Sequence, residues 1–230
     1  MLQIAKLNMP VISIITATFN REELLERAIV SVLRQTCDLW ELLVIDDGST
    51  DNTFNKVRPY IEKTGKIRYF RHTNRGLALS RNAGLQAAAG EYVTFLDSDD
   101  EYLPEHLELR LKYMKENSNV DLIHGGTMII GNPFVPDKND TSKEIHLDKC
   151  AVGGTFFGKR PVFISLGGFK DIDYSEDSDL MERAAEIYRV QKVSFPTYVY
   201  HRDTADGICN SRIHAVMPGA EFSSNLSITN

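Results

Sequence analysis

From Val11 to Leu96 the chain alternates short apolar runs with helical periods, and this alternation constrains the fold more than any other feature. Val11-Ile12-Ser13-Ile14-Ile15, set between Pro10 and the polar pair Asn20-Arg21, predicts a buried strand. From Glu22, the residues Leu24, Leu25, Ala28, Ile29, Val32 and Leu33 recur at helical spacing and predict a helix to about Gln35, with Asn20 as its N-cap and Glu23 three residues on. Leu42 to Ile45 predicts a second strand, Asp47 to Asp51 a turn and Phe54 to Lys63 a second helix. Ile67 to Phe70 continues as a strand, Leu77 to Ala89 as a helix stopped by Gly90, Tyr92 to Leu96 as a fourth strand, and Pro104 to about Lys115 as a helix. Such alternation implies a parallel sheet with right-handed crossovers, covered on both faces. After Val120 the pattern weakens: Gly131 to Glu144 reads as a mobile loop, Asp177 to Tyr188 as a last amphipathic helix, and the tail after about Arg212 shows no clear period.

Composition narrows the partners. Among 230 residues, 26 Lys plus Arg against 32 Asp plus Glu leave a net charge of −6. That balance argues against a ligand bound mainly through a phosphate backbone, so no nucleic acid is expected. The longest apolar runs, Val11 to Ala17 and Glu91 to Leu96, fall far short of the roughly 20 residues that span a bilayer. Met1 to Pro10 lacks the continuous apolar segment of a signal peptide. Cys37, Cys150 and Cys209 are odd in number and widely spaced, which fits neither a disulfide framework nor a zinc site and makes a reducing cytosol the expected home. One domain over residues 1–230 is the expectation.

Ligands of parallel sheets bind at the carboxyl ends of the strands. Thr18 to Arg21, Asp46 to Thr50, His72 to Arg75 and Asp97 to Asp100 all follow strands and converge on that edge. Asp97-Ser98-Asp99-Asp100 puts three carboxylates in four residues, which repel unless a cation sits among them. Mg²⁺ or Mn²⁺ held by one or two carboxylates completes its shell with water and phosphate oxygens, so the cluster points to a diphosphate ligand as well as a metal; a solvated acidic turn is the bland alternative. Phe19 offers a flat face to a nucleobase or simply packs in the core. Arg75 and Arg81 bracket a helix start and offer cations to phosphates, or make surface ion pairs. Glu176-Asp177-Ser178-Asp179 is an acid-rich helix start that needs no catalysis to explain it. His72, His106, His124, His146 and His214 show no ligand spacing and read as surface or core residues.

Together these segments resemble the nucleotide-sugar glycosyltransferases of family 2. Val11 to Arg21 looks like the family's opening strand and base-binding loop, Val30 to Thr36 like its S-x-L-x-Q-T helix end, and Glu41 to Thr53 like its second strand with paired aspartates. Asn74-Arg75-Gly76 through Ser80-Arg81-Asn82-Ala83-Gly84 is similar to the N-x-G…RN-x-G segment, and Gly90 to Asp99 to the strand leading into the D-x-D motif. Gly167-Gly168-Phe169 and Glu176 to Leu180 look like the acceptor-side G-G-F and E-D motifs, so the resemblance runs from about Pro10 to about His201.

The resemblance implies an α/β GT-A fold: a Rossmann-like, mostly parallel central sheet flanked by helices, with a smaller acceptor-side mixed sheet. Residues about 10–120 would bind the nucleotide sugar, about 121–205 the acceptor, and about 206–230 form a tail. Thr18, Phe19, Arg21, Asp47, Arg81, Asp97 and Ser98 would contact the donor, with Phe19 on the base, Asp47 accepting from its N–H edge and Asp97 at the ribose. Asp99 would bind Mn²⁺ or Mg²⁺, and His201 would join it, although Tyr200-His201-Arg202 replaces the usual R-x-H pattern. Asp177 would be the base of a single displacement, with Glu176 beside it on the acceptor side. A UDP or dTDP sugar is the favoured donor and a saccharide or lipid-linked hydroxyl the acceptor. The expected setting is cytoplasmic, with peripheral association at the inner face of the membrane and oligomerisation both open. Two other readings stay open: a nucleotidyltransferase resembling nucleotide-sugar pyrophosphorylases, disfavoured because Thr16 to Arg21 contains no glycine, and a non-catalytic binding module.

Overall fold

Leu42, Leu43, Val44 and Ile45 are all fully buried, and alternate members face two different cores. That is the environment of a strand covered on both faces, and it explains why the run shows no polar alternation. The computed structural model describes residues 9–140 and 142–202. The expected tail, Cys209 and His214 lie outside them.

In chain order the elements are β1 (Ile12–Thr18), α1 (Glu22–Leu33), β2 (Trp40–Asp46), α2 (Thr53–Thr64), β3 (Ile67–Arg71), α3 (Leu77–Ala87), β4 (Tyr92–Phe95), β5 (Glu101–Tyr102) and α4 (His106–Glu116). There follow β6 (Leu122–His124), β7 (Thr127–Ile130), β8 (Phe134–Pro136), β9 (Glu144–His146), β10 (Phe157–Lys159), α5 (Arg160–Ser165), α6 (Glu176–Ile187), β11 (Val190–Lys192) and β12 (Tyr198–His201). Seven strands form the main sheet in the order β11-β6-β10-β4-β1-β2-β3. All neighbours are parallel except β10, which runs antiparallel to both β4 and β6. A smaller mixed sheet, β5-β12-β7, and the hairpin β8-β9 stand beyond it. This is the α/β architecture expected, with its small mixed sheet.

One face of the sheet is covered by α1, α2 and α4 through Leu25, Ile29, Val57, Leu107 and Met114, and the other by α3, α5 and α6 through Leu85, Phe163 and Leu180. Each such side chain, removed wholly from water, contributes about 1.5–3 kcal/mol. Among the described residues no helix is long and apolar enough to cross a membrane.

Several boundaries differ from expectation. Asn20 does not cap α1: it adopts φ 51°, and its Oδ1 accepts from the amide of Thr50. The first turn is capped instead from the neighbouring loop, where Asp51 accepts from the Glu22 amide at 3.2 Å while Glu22 accepts from the Asn52 amide at 2.8 Å. Helix α3 ends at Ala87, and α4 starts at His106, after Glu101-Tyr102 has paired with β12. The expected loop Gly131 to Glu144 holds β8 and the first residue of β9; Val135 is buried against Leu147 and Val152, which anchors the hairpin.

Gly90 has a role other than stopping a helix. A Cβ there would lie 2.6 Å from the Ser13 amide nitrogen and 2.8 Å from the Ile12 carbonyl carbon, so only glycine lets the chain pass the start of β1. Gly90→Ala is therefore expected to destabilise the fold by about 1–3 kcal/mol, since the obstruction is backbone that cannot step aside. Urea denaturation of the variant checks this; a midpoint equal to that of the parent chain would contradict it.

Candidate active site

The carboxyl ends of β1, β2 and β4 open into one cavity of about 840 Å³. Every residue expected to serve the site lines it: Thr18, Phe19, Arg21, Asp47, Arg81, Asp97, Ser98, Asp99, Glu176, Asp177 and His201. These come from both halves of the sequence, and the cavity continues under the β8-β9 hairpin and along the start of α6.

On the β2 side the paired aspartates divide their work. Asp46 is fully buried, accepting from the Ser49 amide at 2.7 Å and from the Tyr69 hydroxyl, so it builds the turn. Asp47 faces the cavity, with its two oxygens accepting from the amides of Arg75 and Gly76 at 2.9 Å each. The Arg75 side chain is exposed, and what Arg75 supplies here is a backbone donor. The His72 ring stands 3.3 Å from Asp47, a neighbour that sequence spacing did not reveal. Thr18, at the end of β1, is 3% exposed, and its hydroxyl has no hydrogen-bond partner. Phe19 beyond it is 44% exposed, so it is not a core residue.

The acidic cluster after β4 separates into three environments. Asp97 accepts from Arg81 at 2.7 Å, and Asp99 from Arg21 at 2.6 Å. Asp100 points away from the cavity and accepts from the Tyr198 hydroxyl at 2.6 Å and the His201 amide at 2.8 Å, tying β12 to the turn. Burial, and then the charge of Asp97, push the Asp99 carboxyl above its usual range despite Arg21; Asp100 is raised well above it by burial and both neighbours. His201 turns its Nε2 to Glu101 at 2.9 Å. No group of three or more His, Cys, Asp and Glu among the described residues forms a ready metal cage. The donor set fits a hard divalent cation held by one or two carboxylates and completed by phosphate oxygens, because Asp99 sits in an excess of negative charge that Arg21 only partly offsets.

The third group comes from α6. Ser175, at φ 66°, turns the chain into the helix, and this left-handed conformation of a non-glycine residue stores strain at the cavity wall. Asp177 accepts from Arg81 at 2.8 Å through Oδ1 and from the Gly153 amide at 2.8 Å through Oδ2. A Cβ at Gly153 would lie 2.3 Å from an Asp177 carboxylate oxygen, so any larger residue there would displace that carboxylate. Withdrawal from water pushes the Asp177 carboxyl up to about 7, with Glu176 and Asp97 adding to the rise and Arg81 opposing it. Asp179, two residues on, instead bonds Lys170 and Arg183, so the acids of this helix start face different ways.

A Rossmann-like sheet with acids at its strand ends and a mixed sheet beside them is the GT-A architecture, and the comparisons agree. Residues 13–166 match the profile described as Glycosyl transferase family 2, and the chain belongs to that family. It is 43% identical over 120 residues to an uncharacterized glycosyltransferase of Haemophilus influenzae, a match covering 52% of this chain and 48% of that one. It is 36% identical over 146 residues to the UDP-Glc:alpha-D-GlcNAc-diphosphoundecaprenol beta-1,3-glucosyltransferase WfgD of Escherichia coli, covering 62% of this chain and 57% of WfgD. Over 138 residues it is 37% identical to the GalNAc(5)-diNAcBac-PP-undecaprenol beta-1,3-glucosyltransferase of Campylobacter jejuni, covering 59% and 42%. The matches thus span about half the length of these relatives. In fold it is similar to S. aureus TarS in complex with UDP-GlcNAc, with TM-score 0.71 at 23% identity over 86% of this chain and 60% of that one. A mannosyltransferase of Pyrobaculum calidifontis in complex with GDP-Man and Mn²⁺ gives 0.70 at 22%, over 90% and 61%.

Tyr198→Phe is expected to cost about 1–3 kcal/mol, because it removes a hydrogen bond from the buried carboxylate of Asp100. The unfolding midpoint in urea measures this, and a change below about 0.5 kcal/mol would contradict it.

Proposed function

We propose that this chain is an inverting glycosyltransferase that moves a sugar from a nucleoside-diphosphate sugar, UDP or dTDP favoured, to a hydroxyl of a saccharide or lipid-linked acceptor. The observation that carries the reading is the meeting of Asp97 and Asp99 with Asp177 in one cavity, beside an exposed aromatic face and an unpartnered buried hydroxyl. Phe19 stacks on the base, Thr18 and Asp47 meet its polar edge, Asp97 and Ser98 the ribose and sugar, and Arg21 the diphosphate. A Mn²⁺ or Mg²⁺ held by Asp99, with His201 adjacent, would supply positive charge to the departing diphosphate.

Asp177 takes the proton of the acceptor hydroxyl as that oxygen attacks the anomeric carbon. The new carbon–oxygen bond forms on the face opposite the breaking bond to the diphosphate, so the configuration inverts. Withdrawal from water gives Asp177 a basicity suited to this work near neutral pH. The named relatives that act on diphosphoundecaprenol-linked sugars support a lipid-linked acceptor. Such an acceptor would bring the chain to the cytoplasmic face of the membrane as a peripheral protein. The structures solved with UDP-GlcNAc and with GDP-Man and Mn²⁺ support a nucleotide-sugar donor and a divalent ion.

A panel of UDP, dTDP and GDP sugars, incubated with diphosphate-lipid-linked saccharides with and without Mn²⁺, tests the reading, and Asp177→Asn assigns the base. Turnover by the variant is expected to fall by about 100-fold or more with UDP affinity nearly unchanged. A base must be deprotonated, so turnover of the parent chain should decline as pH drops below about 7. Turnover by Asp177→Asn close to that of the parent would remove Asp177 as the base.

A further inference from the structure

Arg81 joins the two sides of the cavity. Its side chain is only 3% exposed, and its guanidinium lies over the Phe169 ring at 5.1 Å. Nη2 donates to Asp97 on the donor side at 2.7 Å, while Nη1 donates to Asp177 at 2.8 Å and Glu176 at 3.3 Å on the acceptor side. We propose that Arg81 is a positioning residue for the transfer reaction: it fixes the Asp177 carboxylate against the donor-side turn and opposes its protonation.

The proposal rests on the reading of Asp177 as base. The planar guanidinium presents its donors at fixed angles, so Nη1 holds Asp177 while Nη2 holds Asp97, an orientation that the rotatable ammonium of lysine does not fix. Nothing else that faces Asp177 favours its charge as strongly. Glu176 on its own helix and Asp97 across the cavity oppose the charge, and the Gly153 amide supports it with one hydrogen bond. Arg81 itself stays protonated, because three carboxylates outweigh its burial. The guanidinium thus engages carboxylates on both sides of the cavity at once. The acceptor hydroxyl then meets a carboxylate already turned toward the cavity.

The test is a carboxyl ¹³C NMR titration of the full chain labelled at aspartate, with the Asp177 signal assigned by its loss in Asp177→Asn. Arg81→Gln should move the Asp177 titration up by about one pH unit or more, and Arg81→Lys by less. UDP affinity in the presence of Mn²⁺ is measured alongside by calorimetry, because Arg81 also holds Asp97 on the donor side. An unmoved titration in folded Arg81→Gln overturns the proposal. So does a UDP affinity weakened about tenfold or more with the titration unmoved, which would make Arg81 a donor ligand. If Arg81→Gln does not fold, Arg81→Met, which also removes the charge, is read by the same criterion. Parental turnover by Asp177→Asn would remove the base assignment instead, leaving the NMR shift in place as a separate result.

Discussion

Acidic side chains crowd one end of this sheet, and the structure depends on how their repulsion is managed. Asp46, Asp47, Asp97, Asp99, Asp100 and Asp177 all lie at or just behind the cavity wall. Asp46 and Asp47 accept hydrogen bonds from turn amides, and Asp46 also from the Tyr69 hydroxyl. Asp100 is satisfied by β12, and Asp99 meets Arg21. Asp97 and Asp177 share Arg81. Without these partners each carboxylate would carry the desolvation cost of a buried charge, which runs to several kcal/mol. The remaining excess of negative charge, felt at Asp99, is what a divalent cation would relieve.

The same placement accounts for the joining of donor and acceptor chemistry. Parallel strands deliver the ends of β1, β2 and β4 to one edge, and the antiparallel β10 lets residues far along the chain return beside β4. Just before β10, Gly153 brings its amide to Asp177. Just after α5, Phe169 lies under Arg81. Helix α6 is therefore docked onto the main sheet by short polar contacts, with Arg81 joining Asp177 to Asp97.

Much of the first half was legible in the sequence because strands buried on both faces leave continuous apolar runs, and helices between them leave a regular period. The gathering of Asp47, Asp97 and Asp99 at one sheet edge was legible because each closely follows an apolar strand, whereas Asp177 was singled out only by the family resemblance. Partnerships across long sequence separations were not legible. Tyr198 reaches Asp100 across 98 residues, and Arg81 reaches Asp177 across 96, with no local signal for either. The Asn20 cap failed because a residue from another loop satisfied the helix amide first, and Asn20 turned to that loop. The β8-β9 hairpin was missed because its three-residue strands carry too few alternating positions to show a period, and Pro133 and Pro136 argued for a loop.

The central claim is a single displacement in which Asp177 alone deprotonates the acceptor while the diphosphate leaves from the opposite face. The most direct measurement is the anomeric configuration of the product, read by NMR from the proton and carbon couplings of the new linkage. Transfer from an α-linked nucleotide sugar should give a β-linked product from the first turnover. An α-linked product would require two displacements or a front-face mechanism, and would contradict the account.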